Sequence, residues 1–99
     1  MENIDTKKIL EKLRGLDPKI KERYKIKEIG VFGSTIRGEQ HRKSDIDVLV
    51  DFKETPDLLE FIALERRLQR FLGRKVDLVR KQAIRVELKD KILKETVSV

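Results

Sequence analysis

Gly33-Ser34-Thr35-Ile36-Arg37-Gly38, with Asp45-Ile46-Asp47 beginning seven residues beyond its last glycine, constrains the fold of this 99-residue chain more than any other stretch. The apolar run Ile29 to Phe32 leads into Gly33-Ser34, and the run Ile46 to Val50 carries the aspartates. Both runs read as strands. Alternate side chains of a strand share one face, so Asp45 and Asp47 point the same way with α-carbons roughly 7 Å apart. Like charges so placed repel and titrate abnormally unless a cation joins them. Two divalent ions about 3.5–4 Å apart match this spacing. Backbone N–H groups at the start of a helical turn attract anions, and a glycine there lets a phosphate come close. The Ser34 hydroxyl adds a donor. If one triphosphate is to meet both the Gly33-Ser34 turn and the aspartates, the end of the first strand lies beside the start of the second. Those strands are then antiparallel.

Lys75-Val76-Asp77-Leu78-Val79 reads as a third strand after Gly73, a natural helix stop. Its one acid sits where a soluble strand favours Val or Ile. The bland reading is an acid on the exposed face of an edge strand. Thirty positions separate Asp47 from Asp77, enough for a crossover helix and a parallel return to the same sheet. On that reading Asp77 completes a three-carboxylate site. The fold class expected is α/β in the α+β sense: a short mixed three-stranded sheet flanked by helices, with residues 1–99 forming one domain.

The rest of the chain supplies those helices. Asp5 to Arg14 is amphipathic, with Ile9, Leu10 and Leu13 on one face. Asp17-Pro18 starts a short helix to about Tyr24. The strands are expected at Lys27–Phe32, Asp45–Phe52 and Lys75–Val79, and Gly38 to Lys43 is a polar loop closing over the site. Thr55-Pro56 opens a helix to Leu72 with Leu58, Phe61, Ile62, Leu68 and Phe71 inward. Ala83 to Leu93 forms the last helix, with Ile84, Leu88 and Ile92 at four-residue spacing. The lone histidine, His41, falls in the polar loop and reads as exposed. Tyr24 reads as a packing residue.

Taken together these residues resemble the minimal nucleotidyltransferase (MNT) family, a short branch of the polymerase-β-like nucleotidyltransferase superfamily. The pattern is a Gly-Ser, an Arg-Gly shortly after, a Ser-Asp-x-Asp in a strand and a third Asp in a later strand. Here these are Gly33-Ser34, Arg37-Gly38, Ser44-Asp45-Ile46-Asp47 and Asp77. The match is strong over residues 29 to 79. The resemblance implies the nucleotidyltransferase fold and Mg²⁺-dependent transfer of a nucleoside monophosphate from a nucleoside triphosphate to a hydroxyl. It implies two Mg²⁺ ions on Asp45 and Asp47, with Asp77 beside the attacking oxygen and taking its proton. Gly33 and Ser34 would hold the β- and γ-phosphates of ATP. Arg37 would either neutralise phosphate charge or pair with an acid to hold the loop.

Many members of this family are antitoxins of HEPN/MNT toxin–antitoxin systems. They move AMP from ATP to a tyrosine of a HEPN-domain ribonuclease toxin and silence it. A chain that spends its length on the catalytic core suits a protein acceptor, which brings its own surface. Two other readings stand beside it: a non-catalytic module that masks the toxin, and a nucleotidyltransferase acting on RNA or a small molecule. The net charge is +6, with basic residues gathered at Arg42-Lys43, Arg66-Arg67, Arg70 and Arg74-Lys75. This would draw in ATP, RNA or an acidic partner, or simply form a solvated surface. Five aromatics, with no stacking motif between the charges, count against RNA. The chain has no Cys, so thiol chemistry is excluded. No run of ~18 apolar residues spans a membrane, and Met1 to Asp5 lacks a signal-peptide core. The expected compartment is the cytoplasm.

Overall fold

The computed structural model describes residues 6–36 and 45–99. The expected loop Gly38–Lys43, with His41 and the Arg42-Lys43 pair, lies outside the described residues, as do Arg37, Ser44 and the side chain of Ser34. The elements run α1 (Thr6–Arg14), α2 (Pro18–Arg23), β1 (Ile26–Val31), a 3₁₀ turn (Gly33–Thr35), β2 (Ile46–Phe52), α3 (Leu58–Leu72), β3 (Val76–Arg80), a second 3₁₀ turn (Lys81–Ala83), α4 (Val86–Glu95) and β4 (Val97–Ser98). β1 and β2 are antiparallel, β2 and β3 parallel, and the sheet is mixed as expected.

The sheet has four strands, ordered β3-β2-β1-β4, where three were expected. The addition is β4, in which Val97 and Ser98 pair with Val31 and Gly30. A two-residue strand is too short to carry a hydrophobic period, so only its partner defines it. Gly30 admits it: a Cβ there would lie 2.7 Å from the Val97 carbonyl oxygen and 2.8 Å from Thr96 Cγ2.

Pleating sorts β2 onto two faces. Ile46, Val48, Val50 and Phe52 are buried with Ile9 and Leu13 of α1 and Leu64, Leu68 and Leu72 of α3 in the hydrophobic core. Asp47, Leu49 and Asp51 take the other face. There Leu93 of α4 lines a small cavity with Leu49, and Gln82 donates to Asp51 at 2.8 Å. α3 is capped by Asp57, whose carboxylate accepts from Glu60 N–H at 2.8 Å. It stops at Gly73, which is left-handed.

Two expectations about helix faces are corrected. Leu58 is not inward but 72% exposed, and Ile62 is half-buried and lines a groove on the outer side of the helix instead of joining the core. α3 begins there rather than at Thr55, and the buried seam is Leu64-Leu68-Leu72, one residue every turn. The last helix begins at Val86, after the 3₁₀ turn. Ile84 therefore precedes it in extended backbone, and Leu88 is exposed.

The free edge of β3 is closed by α3. Gln69 Oε1 accepts from Val76 N–H at 3.2 Å, and Glu65 Oε2 accepts from Leu78 N–H at 3.3 Å. Side chains one helical turn apart thus occupy donors that a foreign strand would use. Among the described residues no helix is long and apolar enough to cross a membrane.

Candidate active site

Asp47 sits at the centre of a clamp built by the turn that follows β1. Phe32 N–H donates to the Asp47 carbonyl at 3.1 Å, and Asp47 N–H donates to Thr35 Oγ1 at 3.1 Å. Thr35 is fully buried, and its carbonyl accepts from Thr6 Oγ1 of α1 at 2.5 Å. Between these contacts lies Gly33, whose φ is +67°. A Cβ on Gly33 would stand 2.6 Å from Asp47 Oδ2. The glycine thus satisfies two demands: a left-handed backbone and closeness to a carboxylate. Its N–H donates to Glu95 Oε1 at 3.2 Å, so the end of α4 meets the same turn.

The parallel register places Asp77 directly beside Asp47 on the neighbouring strand. Parallel partners share a face and lie about 4.8 Å apart. Asp45 lies just before β2, two residues from Asp47, and is exposed; Asp47 is half-buried and Asp77 exposed on the edge strand. The bland reading of Asp77 as an acid on an exposed edge is therefore true of its position, and the register adds Asp47 beside it. Ile46 N–H donates to the Lys75 carbonyl at 2.9 Å, which ties the starts of β2 and β3 together.

Among the described residues no group of three or more acids or histidines is gathered tightly enough to hold a metal by itself. The donor set is nevertheless all oxygen, which suits a hard divalent cation. Mg²⁺ is usually held by one or two carboxylates plus substrate phosphates rather than by a complete protein cage. Adjacent Asp47 and Asp77 fit that pattern.

Sequence reasoning missed Thr35 and Glu95. Thr35 carries a faint signal, a hydroxyl directly after Gly-Ser where the turn must rejoin the sheet. Glu95 carries none, because its contact depends on how α4 packs. Elsewhere, an exposed ion pair between Lys25 and Glu54 spans the start of β1 and the segment after β2. Its hydrogen bond, then the charge attraction, raises the Lys25 pKa and lowers that of Glu54, away from the carboxylates of the site.

The Thr35 bond is directly testable. Thr35→Val keeps the shape but removes the acceptor, leaving a backbone N–H at Asp47 without its partner. That costs about 1–3 kcal/mol. The melting temperature should fall by at least ~4 °C, with Thr35→Ser close to wild type. Equal melting of wild type and Thr35→Val would show that the bond contributes nothing.

A mixed sheet that sets a glycine turn against strand-borne carboxylates defines a small α+β domain of the nucleotide-handling kind. Residues 6–99 match the family model described as nucleotidyltransferase domain, and the chain belongs to that family. It is a nucleotidyltransferase. It is 49% identical over 80 residues to protein adenylyltransferase MntA of Thermococcus cleftensis, covering 81% of each chain. It superposes on a solved structure described as a proposed minimal nucleotidyltransferase with a TM-score of 0.81, 30% identity and full coverage of both chains. It also resembles, at 26% identity and a TM-score of 0.58, a chain from a complex of MNT antitoxin with tri-AMPylated HEPN toxin of Shewanella oneidensis. That match covers 94% of this chain and 66% of the other.

Proposed function

We propose that this protein moves AMP from ATP to a tyrosine hydroxyl of a HEPN-domain ribonuclease and thereby acts as its antitoxin in the cytoplasm. Residues 1–99 work as one minimal domain. The observation that carries the reading is the Asp47–Asp77 register beside the Gly33 turn. Family membership, the adenylyltransferase relative and the AMPylated-toxin complex support the donor and the acceptor.

In this reading the phosphates of ATP take the N–H of Gly33 from Glu95, with the Ser34 hydroxyl as a second donor. Asp45, Asp47 and Asp77 would hold Mg²⁺, which when bound neutralises triphosphate charge and lowers the pKa of the acceptor hydroxyl. The tyrosine oxygen attacks the α-phosphorus, the bond to the bridging oxygen of the β-phosphate breaks, and pyrophosphate leaves. Asp77, exposed on the edge strand, takes the proton from the attacking oxygen. Arg37 either neutralises phosphate charge or holds the loop.

Incubation of a HEPN-domain ribonuclease from the same genome with this protein, ATP and Mg²⁺ should add one or more AMP masses to it. Asp77→Asn should stop the addition. Intact-mass spectrometry decides the matter. An unmodified ribonuclease that Asp77→Asn still silences would make the protein a masking module. Label on RNA instead would make the acceptor class wrong.

A further inference from the structure

The geometry points to a docking face for an acidic, amphipathic helix of the acceptor protein along the outward side of α3. The inference rests on the proposed protein acceptor and specifies where it binds.

Leu59, Ile62, Ala63, Arg66, Arg67 and Arg70 recur at spacings of three and four, so they form one stripe of α3. At about 1.5 Å per residue the stripe is ~16 Å long. It lies away from the buried seam Leu64-Leu68-Leu72. These residues line an open groove of about 1000 Å³, to which Arg23, Arg74 and Lys75 add further positive charge. No acidic side chain is among its described lining residues. The stripe is divided along its length: its first half is apolar and its second cationic. Leu59 is 78% exposed and its neighbour Leu58 72%, a pair of large apolar side chains left in water at one end of a charged helix.

The ligand chemistry follows from both halves. Arginine forks match carboxylates in pairs, and exposed leucines want apolar cover. A helix of roughly 11 residues fills ~16 Å, with acids toward one end and apolar residues toward the other. Strand addition on this flank is blocked, because Gln69 and Glu65 already occupy donors on the β3 edge. A single-stranded nucleic acid fits less well. It needs aromatic platforms, yet the one aromatic in the lining, Tyr24, is only 5% exposed, with the Arg23 guanidinium 5.7 Å from its ring centre.

The groove ends next to the strand that carries Asp77, although α3 covers the opposite face of the sheet from that carboxylate. Lys75 immediately precedes β3, and Asp77 follows two residues later. Gly33 lies on the β1 side of β2, and β3 lies on the other. A partner seated there reaches Asp77 by passing round the β3 edge, without crossing the proposed phosphate seat.

The test uses the full chain and the HEPN-domain ribonuclease of the same genome. Arg66→Glu with Arg70→Glu, and separately Leu59→Asp, alter exposed side chains outside the transfer site; melting curves confirm their folding. Calorimetry should show at least tenfold weaker binding for each variant. KM for the ribonuclease should rise, with kcat at saturation and ATP binding unchanged. Unchanged binding in both variants, or a fall in kcat alone, overturns the docking face. So does a loss of RNA binding with partner binding intact. If wild type modifies the ribonuclease and the variants do so equally well, only the docking face falls. If wild type neither binds nor modifies it, the HEPN acceptor falls and the docking face with it.

Discussion

Replacing Asp45 and Asp47 together by asparagine is expected to abolish nucleotidyl transfer while leaving the fold standing. The two charges are roughly 7 Å apart. Their repulsion is worth about 0.6 kcal/mol in bulk water and ~2 kcal/mol at an effective dielectric of 20. Asp45 is exposed and Asp47 only half-buried, so the lower figure governs. The backbone clamp on Asp47 runs through its N–H and C=O and survives the change. The melting temperature should therefore stay level or rise slightly. Transfer should fall at least ~10³-fold, because the change withdraws several kcal/mol of charge stabilisation at tenfold per 1.36 kcal/mol. Mg²⁺-ATP is expected to raise the melting temperature of wild type by mass action, and that rise should shrink in the double mutant. Undiminished transfer by the double mutant would remove both residues from the proposed site.

Gly33→Ala should damage both stability and activity. A non-glycine residue in the left-handed region costs roughly 1–2 kcal/mol, and Gly33 has φ +67°. The new Cβ would also sit 2.6 Å from Asp47 Oδ2, so the turn or the carboxylate must shift. The backbone term alone lowers the melting temperature by about 4–16 °C. Displacing a reacting group by ~1 Å costs on the order of 10²-fold in rate, and at least that loss of transfer is expected. Gly15→Ala is the control: its nearest neighbour would be the Lys12 carbonyl oxygen at 3.4 Å, an ordinary contact. A Gly33→Ala protein as stable and active as Gly15→Ala would show that the turn tolerates a side chain and that Asp47 does not depend on it.

The two experiments separate parts of the site that were legible to different degrees. The aspartates announce themselves because carboxylates inside apolar runs break the strand pattern, as Asp47 and Asp77 do. The antiparallel pairing of β1 with β2 follows from one ligand touching two distant motifs and the parallel pairing of β2 with β3 from the length of the crossover, and both are found. Thr35 was harder to see. A threonine in a turn is ordinary, and only the approach of β2 gives its hydroxyl the Asp47 N–H.

Local chemistry in the sequence determined the elements that signal themselves: the glycine turn at Gly33, the helix stop at Gly73, the period-2 run of β2 and the apolar face of α1. Each depends on neighbours within a few residues, where backbone sterics and side-chain period act directly. The tertiary structure alone decided the features that join distant segments. β4 exists because Gly30 leaves room for Val97, Glu95 reaches Gly33 because the end of α4 returns to the turn after β1, and Leu58 is exposed because Leu64, Leu68 and Leu72 take the seam. Such contacts are chosen by competition for a limited buried surface, and no window of sequence holds both competitors at once.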